Sequence, residues 1–406
     1  MPVEFKHATL DNGLTILAEV DPDAHTAASG FFVRAGARDE ASEIMGVSHF
    51  LEHMMFKGTE RRSADDVNRE FDEIGANYNA YTTSEITCFY ASVLPEHLPH
   101  ANDILADILR PALREDDFTS EKGVILEEIA MYKDNPFWVL YEETMARRYG
   151  GHPLSHRVLG LDTTITSMQC GQMLDYFNNR YSADNTVVAL AGRLDFDAAV
   201  EQLRKLCGEW ARTDARRDMG TTPTPDEKFE MRDDKVTRCY QLMLCPAPSA
   251  DDPRRYAAML LAKALGDPDN SRLHWALVET GLAEEAQSAY DPHDGVGDYF
   301  VYASCPPERA GEVWSVIERE IDNLVDSLEE SDLEKLRNKL ATAVTLAGER
   351  PGGRMQRLGR LWTYLHKHLT LEEELDSINA VTIDDMRAVF EAFPFSPRTV
   401  GKMLPK

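Results

Sequence analysis

The segment His49-Phe-Leu-Glu-His53 sets two imidazoles four residues apart, which on a helix is one turn along one face. Glu52 lies between them in sequence and beside His53, near the same edge. Two neutral imidazoles at that spacing can bind one divalent ion, and a neighbouring carboxylate can take a proton from water held there. The order is H-x-x-E-H, the reverse of H-E-x-x-H. The chemistry such a set could perform is metal-assisted hydrolysis. The same spacing also suits two structural histidines, so a third donor is required, since a hydrolytic metal has three protein donors and one open position.

The stretch from Ser120 to Lys133 reads as a helix and carries carboxylates at Glu121, Glu127 and Glu128. Glu121 and Glu128 are seven residues apart and share a face. Val124, Ile125 and Ile129 make that stripe inward-facing, where a carboxylate must be paired or bound to metal. The plain alternative, a solvated acidic face, suits Glu127 better than Glu128. His152 and His156, either side of Pro153, read as surface loop residues. His366 and His368 face opposite sides of any helix and cannot form one site, while Trp362, Leu365 and Leu369 beside them read as core.

The elements that must position these groups occur twice. In the first half, Gly13-Leu-Thr-Ile-Leu-Ala18 and residues 27–34 are strand-like, and a helix follows over residues 48–56. In the second half, residues 239–245 are a strand and 254–265 a helix. Each half closes alike, with a helix up to Tyr181 and a strand over 186–190, then a helix up to Phe393 and a strand over 399–403. A repeat this long implies duplicated α/β domains. Residues 210–235 are polar, bear Pro, Gly and Thr, lack apolar periodicity and read as a linker. The expected division is 1–212, a linker over 213–232, and 233–406. Metal-type residues occur only in the first copy, which makes it the catalytic half and leaves substrate contact or closure to the second.

Composition narrows the setting. Of 406 residues 43% are apolar and 28% charged, as in a soluble globular chain. No apolar run is long enough to span a bilayer, and the first residues lack the pattern of a secretory leader. Six scattered cysteines without a C-x-x-C pair indicate reduced thiols and a cytoplasmic setting. The formal charge of −27 argues against nucleic acid and anionic membranes as partners. It serves solubility, or it favours cationic peptides; charge alone leaves both open.

His49-Phe-Leu-Glu-His-Met-Met-Phe-Lys-Gly-Thr59 resembles the signature of the pitrilysin-type (M16) zinc metallopeptidases, above all the subgroup of mitochondrial processing peptidase and its bacterial M16B relatives. The resemblance extends through Leu10-Asp-Asn-Gly-Leu, Gly36-Ala-Arg-Asp-Glu40, Asn79-Ala-Tyr-Thr-Thr-Ser-Glu85, residues 121–131, His152-Pro-Leu, Tyr181-Ser-Ala-Asp-Asn and Val381-Thr-Ile-Asp-Asp. It implies an α+β fold of two homologous α/β-roll domains, each a mainly antiparallel sheet with helices packed on one side. It also implies one Zn2+ per chain, bound by His49, His53 and Glu128, with Glu121 supporting from behind and Glu52 as general base. Asn79, Ala80 and Tyr81 match an edge strand that pairs with extended peptide substrate. The implied activity is that of a metalloendopeptidase of the H-x-x-E-H (inverzincin) type. In that architecture four such domains enclose the substrate, so a homodimer, or a heterodimer with a related chain, is implied. The alternative is a non-catalytic partner or scaffold subunit of the same fold.

One departure stands out. The family's second half supplies an Arg and a Tyr that grip substrate, and here those places fall on Leu277 or Val278 and on Glu284. Weaker binding, a partner chain carrying the pair, or replacement by other groups such as Tyr290 or His293 would each account for it. Arg272 matches a different, structural position.

Overall fold

The computed structural model describes residues 3–406. Strands β1 (Glu4–Thr9), β2 (Thr15–Val20), β3 (Ala27–Val33), β4 (Asn77–Thr82), β5 (Thr87–Val93) and β6 (Thr186–Gly192) form one sheet in the order β1-β2-β6-β3-β5-β4. Strands β7 (Glu227–Asp233), β8 (Cys239–Ala247), β9 (Glu285–His293), β10 (Val296–Cys305) and β11 (Thr399–Pro405) form another, in the order β7-β11-β8-β10-β9. Pairing is antiparallel except between β2 and β6 and between β7 and β11. With β1 set aside, the two orders correspond strand for strand, and the parallel pair falls in the same place. This is the duplication read from the sequence.

The helices of the first half are α1 (Val47–Met55), α2 (Ala64–Glu73), α3 (Leu98–Ile108), α4 (Glu115–Lys133), α5 (Pro136–Tyr149), α6 (Asp162–Ser167), α7 (Cys170–Arg180) and α8 (Phe196–Cys207). Those of the second are α9 (Arg255–Gly266), α10 (Ala310–Asp322), α11 (Glu330–Gly348), α12 (Pro351–Leu365), α13 (Leu371–Ala380) and α14 (Ile383–Ala392).

The compact units are not contiguous in sequence. One comprises the chain up to Ala130 with 156–218 and 346–368, and the other 131–155, 219–345 and 369–406. The expected division at 212 and 233 therefore differs from the observed one: α5 belongs to the second unit and α12 to the first. The strands show why. In β3 every residue is buried, Phe31 in the core beneath the helices and Phe32 on the opposite face with Met355 and Leu358 of α12. A strand apolar on both faces needs cover on both. Gly359 permits the close approach, since a Cβ there would lie 2.1 Å from the Phe32 ring. The second unit repeats the device. Leu242 and Leu244 of β8 face Leu140, Met145 and Tyr149 of α5, while Met243 and Cys245 face the main core. Each half's own helices thus cover one face as expected, and a single helix from the other half covers the second.

Two further expectations change. Part of the segment read as linker is strand β7, where half-buried Phe229 and Met231 alternate with exposed Lys228, Glu230 and Arg232. The flanking charges hid that period of two. Arg217, also in that segment, is anchored with its side chain only 2% exposed, 2.8 Å from Asp39 Oδ2. No helix among the described residues is long and apolar enough to cross a membrane. All six cysteines are free, Cys170 half-buried and the others buried.

Candidate metal centre

Helix α1 is fixed before it presents any chemistry. Its cap, Gly46, has φ +94°, a left-handed conformation that favours glycine, and a Cβ there would meet the Leu159 carbonyl at 2.7 Å. The buried carboxylate of Glu40 accepts the Gly46 and Ser48 backbone N–H groups, both at 2.7 Å, so it satisfies orphan donors at the helix start. Burial pushes Glu40 up to about 8, while those N–H groups pull it down. Ser48 Oγ and Tyr176 OH lie 2.6 Å apart, and Phe50 stacks on Phe118 of α4 with ring centroids 4.7 Å apart. With Phe50, Leu51 and Met54 in the core, the remaining face carries His49, Glu52 and His53.

Opposite them, α4 buries Glu121 and half-buries Glu128, while Glu127 is exposed. That is the division of roles expected from the helix face. Val124 differs from expectation, being 45% exposed; Phe118, Ile125 and Ile129 carry the inward stripe instead.

One ligand atom each from His49, His53 and Glu128 lie within 4.8 Å of one another. Glu128 Oε2 is 3.7 Å from both His49 Nε2 and His53 Nε2. Donors around a tetrahedral zinc at ordinary bond lengths lie about 3.4 Å apart, close to the separation of Glu128 from each imidazole, so the donor set suits such an ion once the side chains draw together around it. His53 Nδ1 is 2.9 Å from Glu121 Oε1, which assigns its proton to that nitrogen and leaves the Nε2 lone pair facing the other donors. Burial, then the neighbouring His53, hold His49 down to about 3, so its imidazole is neutral, the form that binds metal. Burial also raises Glu128, with His53 opposing.

Glu52 stands beside this set. One carboxylate oxygen accepts a hydrogen bond from Thr82 Oγ1, at the end of β4. Burial raises its pKa, Thr82 and His53 lower it, and Glu128 raises it. Two supporting residues were not legible in the sequence: Thr82, and Lys57, whose ammonium pairs with the second oxygen of Glu121. Both contacts join residues distant along the chain, and no spacing rule reports them. Replacing Glu121 with Gln removes the charge behind His53. Zinc affinity is expected to fall about 10- to 100-fold in competition with a chelating dye, and unchanged affinity would deny Glu121 this role.

Asn79, Ala80 and Tyr81 lie on β4, which among the described residues pairs only with β5 and forms the edge of its sheet. The Tyr81 hydroxyl is committed to Gln356 of α12 at 2.8 Å. The places expected for the Arg and Tyr hold a fully buried Leu277, a half-buried Val278, and Glu284, which pairs with Arg238 at 2.9 Å. Neither suggested replacement is idle: Tyr290 OH donates to the Pro248 carbonyl at 2.8 Å, and His293 is buried. Arg272 approaches Glu320 at 3.8 Å. His152 is buried rather than on the surface, its Nε2 3.0 Å from the Met219 carbonyl. His156 Nδ1 is 3.0 Å from the Ala37 carbonyl. His368 stacks on Phe5 and lies 3.1 Å from Glu19.

Residues 15–162 match the family model "Insulinase (Peptidase family M16)", and residues 167–340 match "Peptidase M16 inactive domain". An uncharacterized zinc protease of Mycobacterium tuberculosis is 34% identical over 393 residues, 95% of this chain and 89% of that protein. The chain belongs to peptidase family M16. A second relative, the uncharacterized zinc protease YmxG of Bacillus subtilis, is 31% identical over 94% of this chain and 93% of that protein. The fold is shared with a protease from Helicobacter pylori, TM-score 0.93 at 19% identity over the whole of both chains. It is shared also with a peptidase M16 inactive domain from Pseudomonas fluorescens, TM-score 0.91 at 18% identity, over 100% of this chain and 99% of that one.

Proposed function

We propose that this M16 chain is a zinc-dependent endopeptidase acting on extended peptides, with one ion per chain held by His49, His53 and Glu128. The observation that carries the reading is the convergence of both Nε2 atoms on Glu128, with the Glu52 carboxylate beside them. A zinc ion bound there supplies a water acidified towards pKa of about 7 and polarises the scissile carbonyl. Glu52 takes the water proton and later returns it to the leaving amine. Glu121 holds His53 in the tautomer that offers Nε2. Backbone groups of Asn79, Ala80 and Tyr81 on the β4 edge pair with the substrate strand, giving affinity with little sequence demand. The chain acts in the cytoplasm as a homodimer or beside a related chain, in the manner of the M16B subgroup.

A second reading, a non-catalytic partner subunit, draws support from the apolar and acidic residues at the Arg and Tyr places, Leu277 and Glu284. Hydrolysis of a quenched fluorescent peptide library, with products mapped by mass spectrometry, separates the two. Chelator-sensitive cleavage within peptides is expected. Zinc-loaded protein that cleaves nothing would favour the partner role.

A further inference from the structure

Glu52 hangs from α1 on a flexible side chain, and proton transfer needs one of its oxygens aimed at the reacting water. The group that restrains it comes from the substrate edge. Thr82 is the last residue of β4, pairs with Thr87 of β5, and donates its hydroxyl to Glu52 Oε2. Threonine is branched at Cβ, so the direction of its hydroxyl follows the strand backbone closely. The strand end is itself held from two sides. Tyr81, pointing to the opposite sheet face, donates to Gln356 Oε1 at 2.8 Å. Beyond Thr82 the turn closes tightly, with Thr83 N donating to the Ile86 carbonyl at 2.8 Å and Ile86 N donating to Thr83 Oγ1 at 3.0 Å. One Glu52 oxygen is thereby fixed, leaving Oε1 to take the proton.

We infer that Thr82 is a positioning residue that couples the peptide-pairing edge of β4 to the proton-transfer carboxylate of Glu52. The inference rests on the peptidase reading above. The strand edge that receives the peptide thereby also places the Thr82 hydroxyl that aims Glu52.

The test compares Thr82→Val, which keeps the shape and loses the donor, with Thr82→Ser, which keeps the donor. In Thr82→Val, kcat is expected to fall about 10- to 100-fold, with KM, zinc content and melting temperature unchanged. Thr82→Ser should stay within about threefold of the parent, since its hydroxyl can still reach the carboxylate. A second readout needs neither zinc nor turnover. In metal-free protein labelled at the glutamate carboxyl carbons, the Glu52 resonance, assigned by its loss in Glu52→Gln, should move in Thr82→Val and hold in Thr82→Ser. An unmoved resonance would overturn the hydrogen bond. A moved resonance with unchanged kcat would overturn the positioning role, and so would a Ser variant as slow as the Val variant. A parent protein that cleaves no peptide would instead remove the peptidase reading, and this inference with it.

Discussion

Glu52→Gln protein is expected to keep its fold and its zinc while kcat falls about 10²- to 10⁴-fold. The amide matches the carboxylate in shape and can still accept the Thr82 hydrogen bond, so neither α1 nor the end of β4 is disturbed. The side chain is outside the set His49, His53 and Glu128, so metal retention is unaffected. What disappears is the only feature proton transfer needs, a basic oxygen. The pKa of Glu52 is already displaced upward by burial, the direction that suits a base working near neutrality. Steady-state kinetics beside atomic absorption on the same preparation checks this. A variant within tenfold of the parent would place the base elsewhere.

The largest expected effect on stability lies in the other unit. Asp298 is buried on β10 and accepts from Arg148 Nε at 2.8 Å and from the Tyr149 hydroxyl, both on α5. Arg148 also donates to the Pro223 carbonyl. The Arg148 and Asp298 side chains are 1% and 2% exposed. Asp298→Ala leaves a buried guanidinium without its counter-charge and a buried phenol without its acceptor, at a cost of about 3–5 kcal/mol. Thermal unfolding should show the transition of that unit falling by about 10 °C. Removing Arg61, which pairs with Asp103 at 2.9 Å while 54% exposed, should cost about 0–1 kcal/mol. Equal losses in the two variants would contradict the distinction drawn from burial.

Local features of the chain were the legible ones. His49, Glu52 and His53 share one helix, so their spacing alone placed them on one face. The strand correspondence between halves was visible because each copy repeats the same order of patterns. Contacts that close across the fold were hidden. Thr82 and Lys57 reach their carboxylates across 30 and 64 residues, and although both lie in stretches that carry the family resemblance, no spacing along the chain names those partners. Strand β7 was missed because its apolar positions are only Phe229 and Met231 among charges. The exchange of α5 and α12 had a signal in the adjacent Phe31 and Phe32 of β3, which point to opposite faces and so call for cover on both. The loop around His152 suggests a surface position, whereas its ring is buried and its Nε2 lies 3.0 Å from the distant Met219 carbonyl. The position of Val124 shows the limit of helical periodicity, since a stripe read from neighbours can be one residue too wide.

X-ray absorption at the zinc edge, on protein carrying one equivalent of zinc, reads directly whether His49, His53 and Glu128 hold the ion. Two imidazole nitrogens and carboxylate oxygen are expected at bond lengths of about 2.0–2.2 Å, with the signal changed and zinc readily lost in Glu128→Gln. Sulfur ligation, or a spectrum and affinity unchanged by that substitution, would contradict it.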